Sequence, residues 1–489
     1  MRMNKSFGTA VFAGLFAMMT SICGGQEAPA KAKSDIPVIT TDVIDVGDRL
    51  EPFIDTFLVD KMEGVTHRLH HPIQVRNLPQ PPSAGYYATV IYEKQKYRHY
   101  CRETMPGYSG SDEDGNPGEV TAYEESTDGV NWTRPNLGLF EVNGSKSNNY
   151  ILVNMSPFSH NFSPFLDARP GCPPEERFKA LAGTSKSGGL VAFISADGIR
   201  WKKLREEPVL KTIAGGLMFD SQNVACWSSA DKCYVAFCRQ HIKGLRSINR
   251  ATSPDFINWS ALEQVPANLP DEHLYTSQAH PYFRAPHITI GLASRFFPKR
   301  GSSTDIVLLT TRDGKSFNRT FKEAFIRPAP TKDSWGNRGN YAALNVFPLR
   351  DDRPNIQAEH WRYLNPQHMG FMVRDRLYYL PLDGFASIHA GYEPGHMTTK
   401  AFKFSGKELM VNFETSAAGS IRVTIQDQVG QVIPGFGADD MKEELRGNER
   451  TRIAVWKQGS SLQSLVGRIV RLHFELKEAD LYSICFVNR

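Results

Sequence analysis

Three acidic residues, Asp167, Asp220 and Glu272, flank short apolar runs at FLDARP, FDSQN and DEHLYTSQ. Cleaving a glycosidic bond needs two carboxyls facing each other across it, one protonated and one ionised. Acidic side chains delivered from separate strands to one channel are candidates for that work, with Asp220 or Glu272 as proton donor and Asp167 as base or stabiliser. Surface ion pairing or turn capping is the alternative for each. Asp55 in PFIDTFLV and Glu359 in QAEHW are reserve candidates.

A second set of residues is cationic. Arg102 (YCRET), Arg239 (FCRQH) and Arg295 (ASRFF) each close a strand-like run, and Arg338 in WGNRGN is a candidate fourth member. Such a set either pairs with carboxylates between neighbouring units or forms a ring of guanidiniums that grips carboxylate or sulfate groups bidentately. His160, Asn161, Gln222, Tyr275, Gln278 and Trp335 fall near the same strand starts. Amides and flat rings suit the hydroxyl edges and CH faces of a poly- or oligosaccharide, and a packed channel would hold the same types. No phosphate-binding glycine loop, dinucleotide fingerprint or nucleophile elbow stands in a suitable context. No C-x-x-C zinc spacing occurs, and His67, His70 and His71 lie on an extended stretch without a defined ligand geometry, so no metal and no cofactor are expected.

The elements that must position these residues follow from a repeat. Four segments share a hydroxyl residue, an Asp two later and an aromatic four after that: Ser126, Asp128 and Trp132; Ser195, Asp197 and Trp201; Ser253, Asp255 and Trp259; Thr311, Asp313 and Phe317. The Asp-to-Asp spacings are 69, 58 and 58 residues. Asp and Ser/Thr accept hydrogen bonds from turn amides, a Gly after the Asp supplies a left-handed residue, and the aromatic returns to a hydrophobic layer. From Pro82 to Ala390, about 310 residues divide into five units of about 62, each enough for a four-stranded blade. The fifth unit lacks the turn, and the run 52–59 is the candidate strand that closes the ring. Beyond residue 395 strict alternation appears at 421–426 and 470–476, the period of half-buried strands.

The expected architecture is all-β: a signal peptide over 1–25, a linker over 26–50, a five-bladed β-propeller over 51–395 with 51–81 as the closing segment, and a β-sandwich over 396–489. Arg2 and Lys5 precede an apolar run over 7–22, then small residues, which is a secretory leader rather than a membrane span. The protein is therefore expected to be secreted or periplasmic. A lipid anchor on Cys23 ranks lower because the preceding Ile22 is large. The whole chain has 57 Lys and Arg against 52 Asp and Glu, a net +5 over 489 residues. That near-neutral balance excludes a nucleic-acid protein held by a broad basic field. Of the cysteines past the leader, Cys226 and Cys233 flank a short turn and either pair across a hairpin or stay as free thiols.

These turns, the leader and the terminal sandwich resemble the clan of glycoside hydrolase families 32 and 68, with family 43 a wider relative. RFKALAG (177–183), FDSQN (219–223) and ADLYSICF (479–486) resemble a group of exported bacterial proteins called family-32-like, many from planctomycetes. The resemblance covers about residues 50–489 and implies a five-bladed fold with a carbohydrate substrate. In family 32 a nucleophilic Asp sits on the first blade's inner strand; here GYYATVIY (85–92) has no carboxylate. The family's R-D-P motif has a loose counterpart around Asp167, and its Glu-Cys acid falls near Asp220. These departures leave two readings: a glycoside hydrolase of different specificity, or a carbohydrate-binding propeller without catalysis.

Overall fold

A computed structural model describes residues 43–488 apart from 76–81, 84, 214–215, 337–338 and 350–366. The leader, Arg338 and Glu359 thus lie outside the described residues. Those described form β-strands linked by turns and short 3-10 segments, with no α-helix and no helix long and apolar enough to cross a membrane.

Five antiparallel sheets, four of four strands and one of five, make a propeller. The first comprises Tyr86–Glu93, Lys96–Thr104, Glu119–Ser126 and Tyr150–Leu152. The second starts with Ser163–Leu166 and the third with Val224–Ser228. In the fourth, the inner strand is split into His273–Thr276 and Ala279–Tyr282, both paired with Ala285–Phe297. The fifth joins Phe347–Pro348, His368–Val373 and Arg376–Pro381 to Ile73–Gln74. Ile73 and Gln74 pair with Tyr379 and Tyr378, so they supply the ring's closing strand. They fall within the expected closing segment 51–81, but the run 52–59 named for the strand goes elsewhere: Glu51 and Pro52 pair with Ile484 and Ser483 in the C-terminal sheet. Two residues suffice because packing closes the ring. Val90 and Tyr97 of the first blade share a core with Phe347, Met372 and Leu377 of the fifth, and Val90 N–H donates to Leu344 O at 3.0 Å.

The four repeated turns join the third strand of a blade to its outer edge. In the first, Asp128 Oδ1 accepts from the amides of Val130 and Asn131, both at 2.8 Å, while Ser126 Oγ accepts from Gly129 at 2.9 Å. Gly129, Gly198 and Gly314 take φ of +78°, +76° and +66°. A Cβ on Gly198 would lie 2.6 Å from the Tyr100 hydroxyl of the neighbouring blade, so the position also needs the smallest residue. In the third turn Phe256 occupies this place at φ +66°, and its ring is fully buried between the second and third blades. Burying a Phe contributes about 2 kcal/mol, which offsets the strain of a left-handed non-glycine residue.

Ten strands form the second sheet, which folds over into a sandwich. Glu408–Asp427 and Val470–Val487 run its length, with a register shift between Thr415 and Ser420. Ile421, Val423 and Ile425 pair with Leu476, Phe474 and Leu472, as the alternation requires. Residues on both sides of the shift, Leu409 and Val411 as well as Ile421 and Val423, enter one core around Trp456. Strands Ile44–Gly47, Val59–Glu63 and Val65–Leu69 also belong to this sheet. Long-range pairing thus takes an N-terminal stretch expected within the propeller. Cys226 lies opposite Val235 and Cys233 opposite Ser228, and both are free thiols, as are the other four described cysteines.

Arg312, inside the fourth turn, fastens the propeller to this sheet. It donates to Asp55 at 2.8 and 3.2 Å and to Glu51 at 2.8 Å, which assigns Asp55 a structural partner. Burial alone would raise the Glu51 carboxyl, but hydrogen bonding from His287 and the charge of Arg312 bring it from 4.5 to about 2. A depressed carboxyl contributes stability above its unfolded value and loses it as pH falls through the folded one. The contribution, about 3 kcal/mol at neutral pH, is expected to vanish toward pH 2. Urea unfolding at pH 6 and pH 2.5 checks this: the gap between the two stabilities should shrink by about 2 kcal/mol in Glu51→Gln. An unchanged gap would assign the acid sensitivity to other carboxyls.

Candidate functional site

The channel is closed midway by side-chain amides. Gln222 Nε2 donates to Ala88 O at 3.1 Å and Thr89 Oγ1 at 3.0 Å; Gln278 Nε2 donates to Gln222 Oε1 at 2.6 Å and Ala342 O at 2.5 Å. These contacts tie the inner strands together and leave a mouth above them. Three non-glycine residues here take left-handed backbone: Tyr87 (φ +50°), Phe219 (+65°) and Gln278 (+48°). Such conformations persist only where surroundings over-determine them, and they concentrate at functional sites. Phe219 is pinned on both sides, its N–H donating to Arg239 O and its carbonyl accepting from Asn161 and Asn223 at 2.9 Å each. That fixed turn presents the next residue, Asp220, with 42 % of its side chain exposed.

Asp220 belongs to a chain of hydrogen-bonded and ionisable side chains. Its Oδ2 accepts from Arg239 Nη2 at 3.0 Å, and its Oδ1 lies 3.5 Å from His160 Nε2. The other ring nitrogen of His160 is 2.9 Å from Glu119 Oε1, which is 3.4 Å from Arg102 Nη1. Burial by itself would raise the Asp220 carboxyl. The hydrogen bond from His160 and the charge of Arg239 outweigh it and hold the group well below the usual carboxylate range. Asp220 is therefore ionised at any physiological pH.

Aromatic rings floor the mouth. Tyr87, Tyr275, Tyr341 and Phe296 form one buried cluster. The Arg102 guanidinium lies 5.0 Å from the Tyr87 ring and 5.2 Å from that of Tyr86, Arg374 lies 4.8 Å from Tyr86, and Arg239 and Arg246 each lie 4.9 Å from Tyr275. Cation–π contacts of this kind let guanidiniums stay charged with few carboxylates nearby. Above the floor run two half-clefts. One, of about 520 Å³, is lined by Asp220, Arg239 and Arg246; the other, of about 510 Å³, by Tyr86, Arg102 and Glu119; Asp114 borders both. Asp114, Glu119 and His160 have potential ligand atoms within 4.8 Å of one another. The Arg102 guanidinium already supplies a positive charge at Glu119.

The structure brings Arg102, Arg239, His160, Tyr275 and Asp220 together at the mouth. It does not bring Asp167 or Glu272 to them. Asp167, just past the far end of Ser163–Leu166, accepts from Tyr234 Oη at 2.6 Å and pairs with Lys179 at 3.1 Å. Glu272 is buried in a bidentate pair with Arg319 at 2.7 and 3.0 Å. Neither lines the clefts. Arg295 pairs with Asp305 at 2.8 and 2.7 Å and lines neither half-cleft, so the guanidinium ring is not the recurring one expected from strand position. Asn161, Gln222 and Gln278 spend their amides on the backbone and on each other. Trp335 is 56 % exposed on a short 3-10 turn and lines neither half-cleft. Sequence reasoning passed over Asp114, Glu119, Tyr86, Arg246 and Arg374. Only Arg246 left a usable signal, since it stands across the hairpin from His241 on the ribbon that carries Arg239.

No known family model matches the sequence, and no curated protein matches it. Solved structures similar in fold include a glycoside hydrolase family 43 arabinoxylan arabinofuranohydrolase from Bacillus subtilis, in complex with cellotetraose. It is 12 % identical with a TM-score of 0.38, the match covering 83 % of this chain and 96 % of that one. A fructofuranosidase from Schwanniomyces occidentalis, complexed with fructosylnystose, is 11 % identical with a TM-score of 0.36, covering 91 % and 99 %. An endo-arabinase from Bacteroides thetaiotaomicron is 10 % identical with a TM-score of 0.36, covering 62 % and 96 %. By its own sheet topology this chain is a five-bladed β-propeller with a β-sandwich; the solved structures similar to it include glycoside hydrolases.

Proposed function

We propose that the protein is an exported, family-32-like glycoside hydrolase that cleaves a poly- or oligosaccharide at the propeller mouth. The observation that carries the reading is Asp220: an ionised carboxylate, open to a cleft of about 520 Å³, presented on strained backbone by His160 and Arg239. In this reading Asp220 takes a proton from the attacking water or stabilises charge at the sugar. Asp114, on the ridge between the half-clefts, is the opposing carboxyl that protonates the leaving oxygen. The leader-like residues 1–25 support export, and FDSQN with the repeated turns supports the family-32-like affiliation.

A second reading, saccharide binding without cleavage, is favoured by one fact. The other two carboxyls expected to act, Asp167 and Glu272, are consumed in ion pairs outside the cleft. A glycan panel of neutral, uronic and sulfated oligosaccharides, assayed for new reducing ends, separates the two. Hydrolysis predicts product from at least one glycan and a rate about a hundredfold lower in Asp114→Asn. Binding without product across the whole panel assigns the second reading.

A further inference from the structure

We infer that Arg239 and Arg246, both set over the Tyr275 ring beside Asp220, form an oxyanion subsite that selects saccharides bearing a carboxylate or sulfate group. The inference rests on the mouth being a saccharide site. Arg239 is only 4 % exposed and lines the half-cleft, yet its Nε and Nη1 have no hydrogen-bond partner; its single carboxylate contact is through Nη2. A buried guanidinium with two unused donors is costly unless an acceptor arrives. Arg246, in the same half-cleft, has no carboxylate partner among the described residues, and its Nε is likewise unmatched. Its nearest polar side chain is His273, with Nη1 at 3.4 Å from Nδ1.

The neighbouring charges do not cancel this excess. Asp220 is shared between Arg239 and His160. Lys186 holds Glu113 at 3.5 Å, so that carboxylate is engaged on its own side, and its second bond, at 3.0 Å, goes to the backbone carbonyl of Asp114. His241 and His273 are both held below their ordinary values, first by burial and then by nearby guanidiniums, Arg239 and Arg246 for His241 and Arg246 for His273. Two guanidiniums over one ring line the same half-cleft, and paired positive charges of this kind suit an oxyanion with two or more acceptor oxygens. A neutral hydroxyl would satisfy at most part of that set.

The test measures binding by calorimetry with the full chain and two matched pairs. The first is a tetragalacturonate and its methyl ester; the second is a sulfated galactan tetrasaccharide and its desulfated form. At least one charged member should bind about tenfold or more tightly than its neutral partner. In Arg246→Gln the ratio of charged to neutral affinity should fall close to one. Arg239→Lys, which keeps the charge and loses the fork, should lower it in the same direction and guards against a misfolded single variant. The pair that shows the preference identifies carboxylate or sulfate as the source. Equal affinity within both pairs, or no binding of any member, overturns the inference. Charge-blind turnover of a glycan would leave the hydrolase standing without the subsite, and charge-selective binding without turnover would do the reverse.

Discussion

Replacing Asp220 with Asn is expected to lower turnover per folded molecule about a thousandfold, within the range for losing a positioned acid–base group. The substitution keeps the shape and one acceptor oxygen facing Arg239, so it removes charge more than structure. It also leaves His160 and Arg239 with one carboxylate fewer, and both are buried. Some loss of stability should accompany the loss of rate, and the folded fraction must be measured by circular dichroism beside the assay. Sign matters for the pH profile. A carboxyl held below its ordinary value of 3.8 stays ionised as pH falls through that value. The acid limb of the wild-type profile should therefore not follow an ordinary Asp titration. Turnover unaffected by Asp220→Asn would remove this residue from the chemistry and with it the reading of the cleft as catalytic.

Glu272→Ala should do the opposite, destabilising the fold by about 3–5 kcal/mol while leaving turnover per folded molecule intact. Removing one partner of a buried ion pair strands the other, and here that is Arg319, whose two terminal nitrogens both face Glu272. Oε2 also accepts from Leu269 N–H at 2.9 Å, so the carboxylate anchors the loop leading to His273–Thr276 as well. That strand carries Tyr275 to the mouth, which makes Glu272 a support for the site rather than a part of it. Urea unfolding of the two proteins gives the stability difference directly. A variant that kept its stability but lost turnover would return Glu272 to the chemistry.

The repeated turns were legible because their physics is local. A hydroxyl, an Asp and an aromatic within seven residues make their hydrogen bonds to amides two and three positions away, so spacing alone reveals them. Even the exception is instructive: Phe256 breaks the glycine rule and is tolerated because its ring fills the core between two blades. Alternation at 421–426 and 470–476 was equally readable, since each side chain's face depends only on its neighbours along the strand. Ring closure was not. The candidate 52–59 and the actual strand Ile73–Gln74 are both short, and which one reaches the fifth blade depends on where the C-terminal sheet draws the first.

The candidate site divides the same way. The amino-acid sequence by itself determined an all-β ring of repeated blades, a terminal alternating sheet, and a list of acidic, cationic and aromatic residues near the strand starts. It nominated Asp167, Asp220 and Glu272, with Glu272 ranked below the other two. Only the tertiary structure decided among them, because a carboxyl's role depends on the cation it meets. Tyr234 lies 67 residues from Asp167, Arg319 lies 47 from Glu272, and His160 and Glu119 approach Asp220 from other blades. Burial and charge act over a few ångströms of space, whatever the separation along the chain, so those three identical chemistries become two structural ion pairs and one exposed, ionised carboxylate.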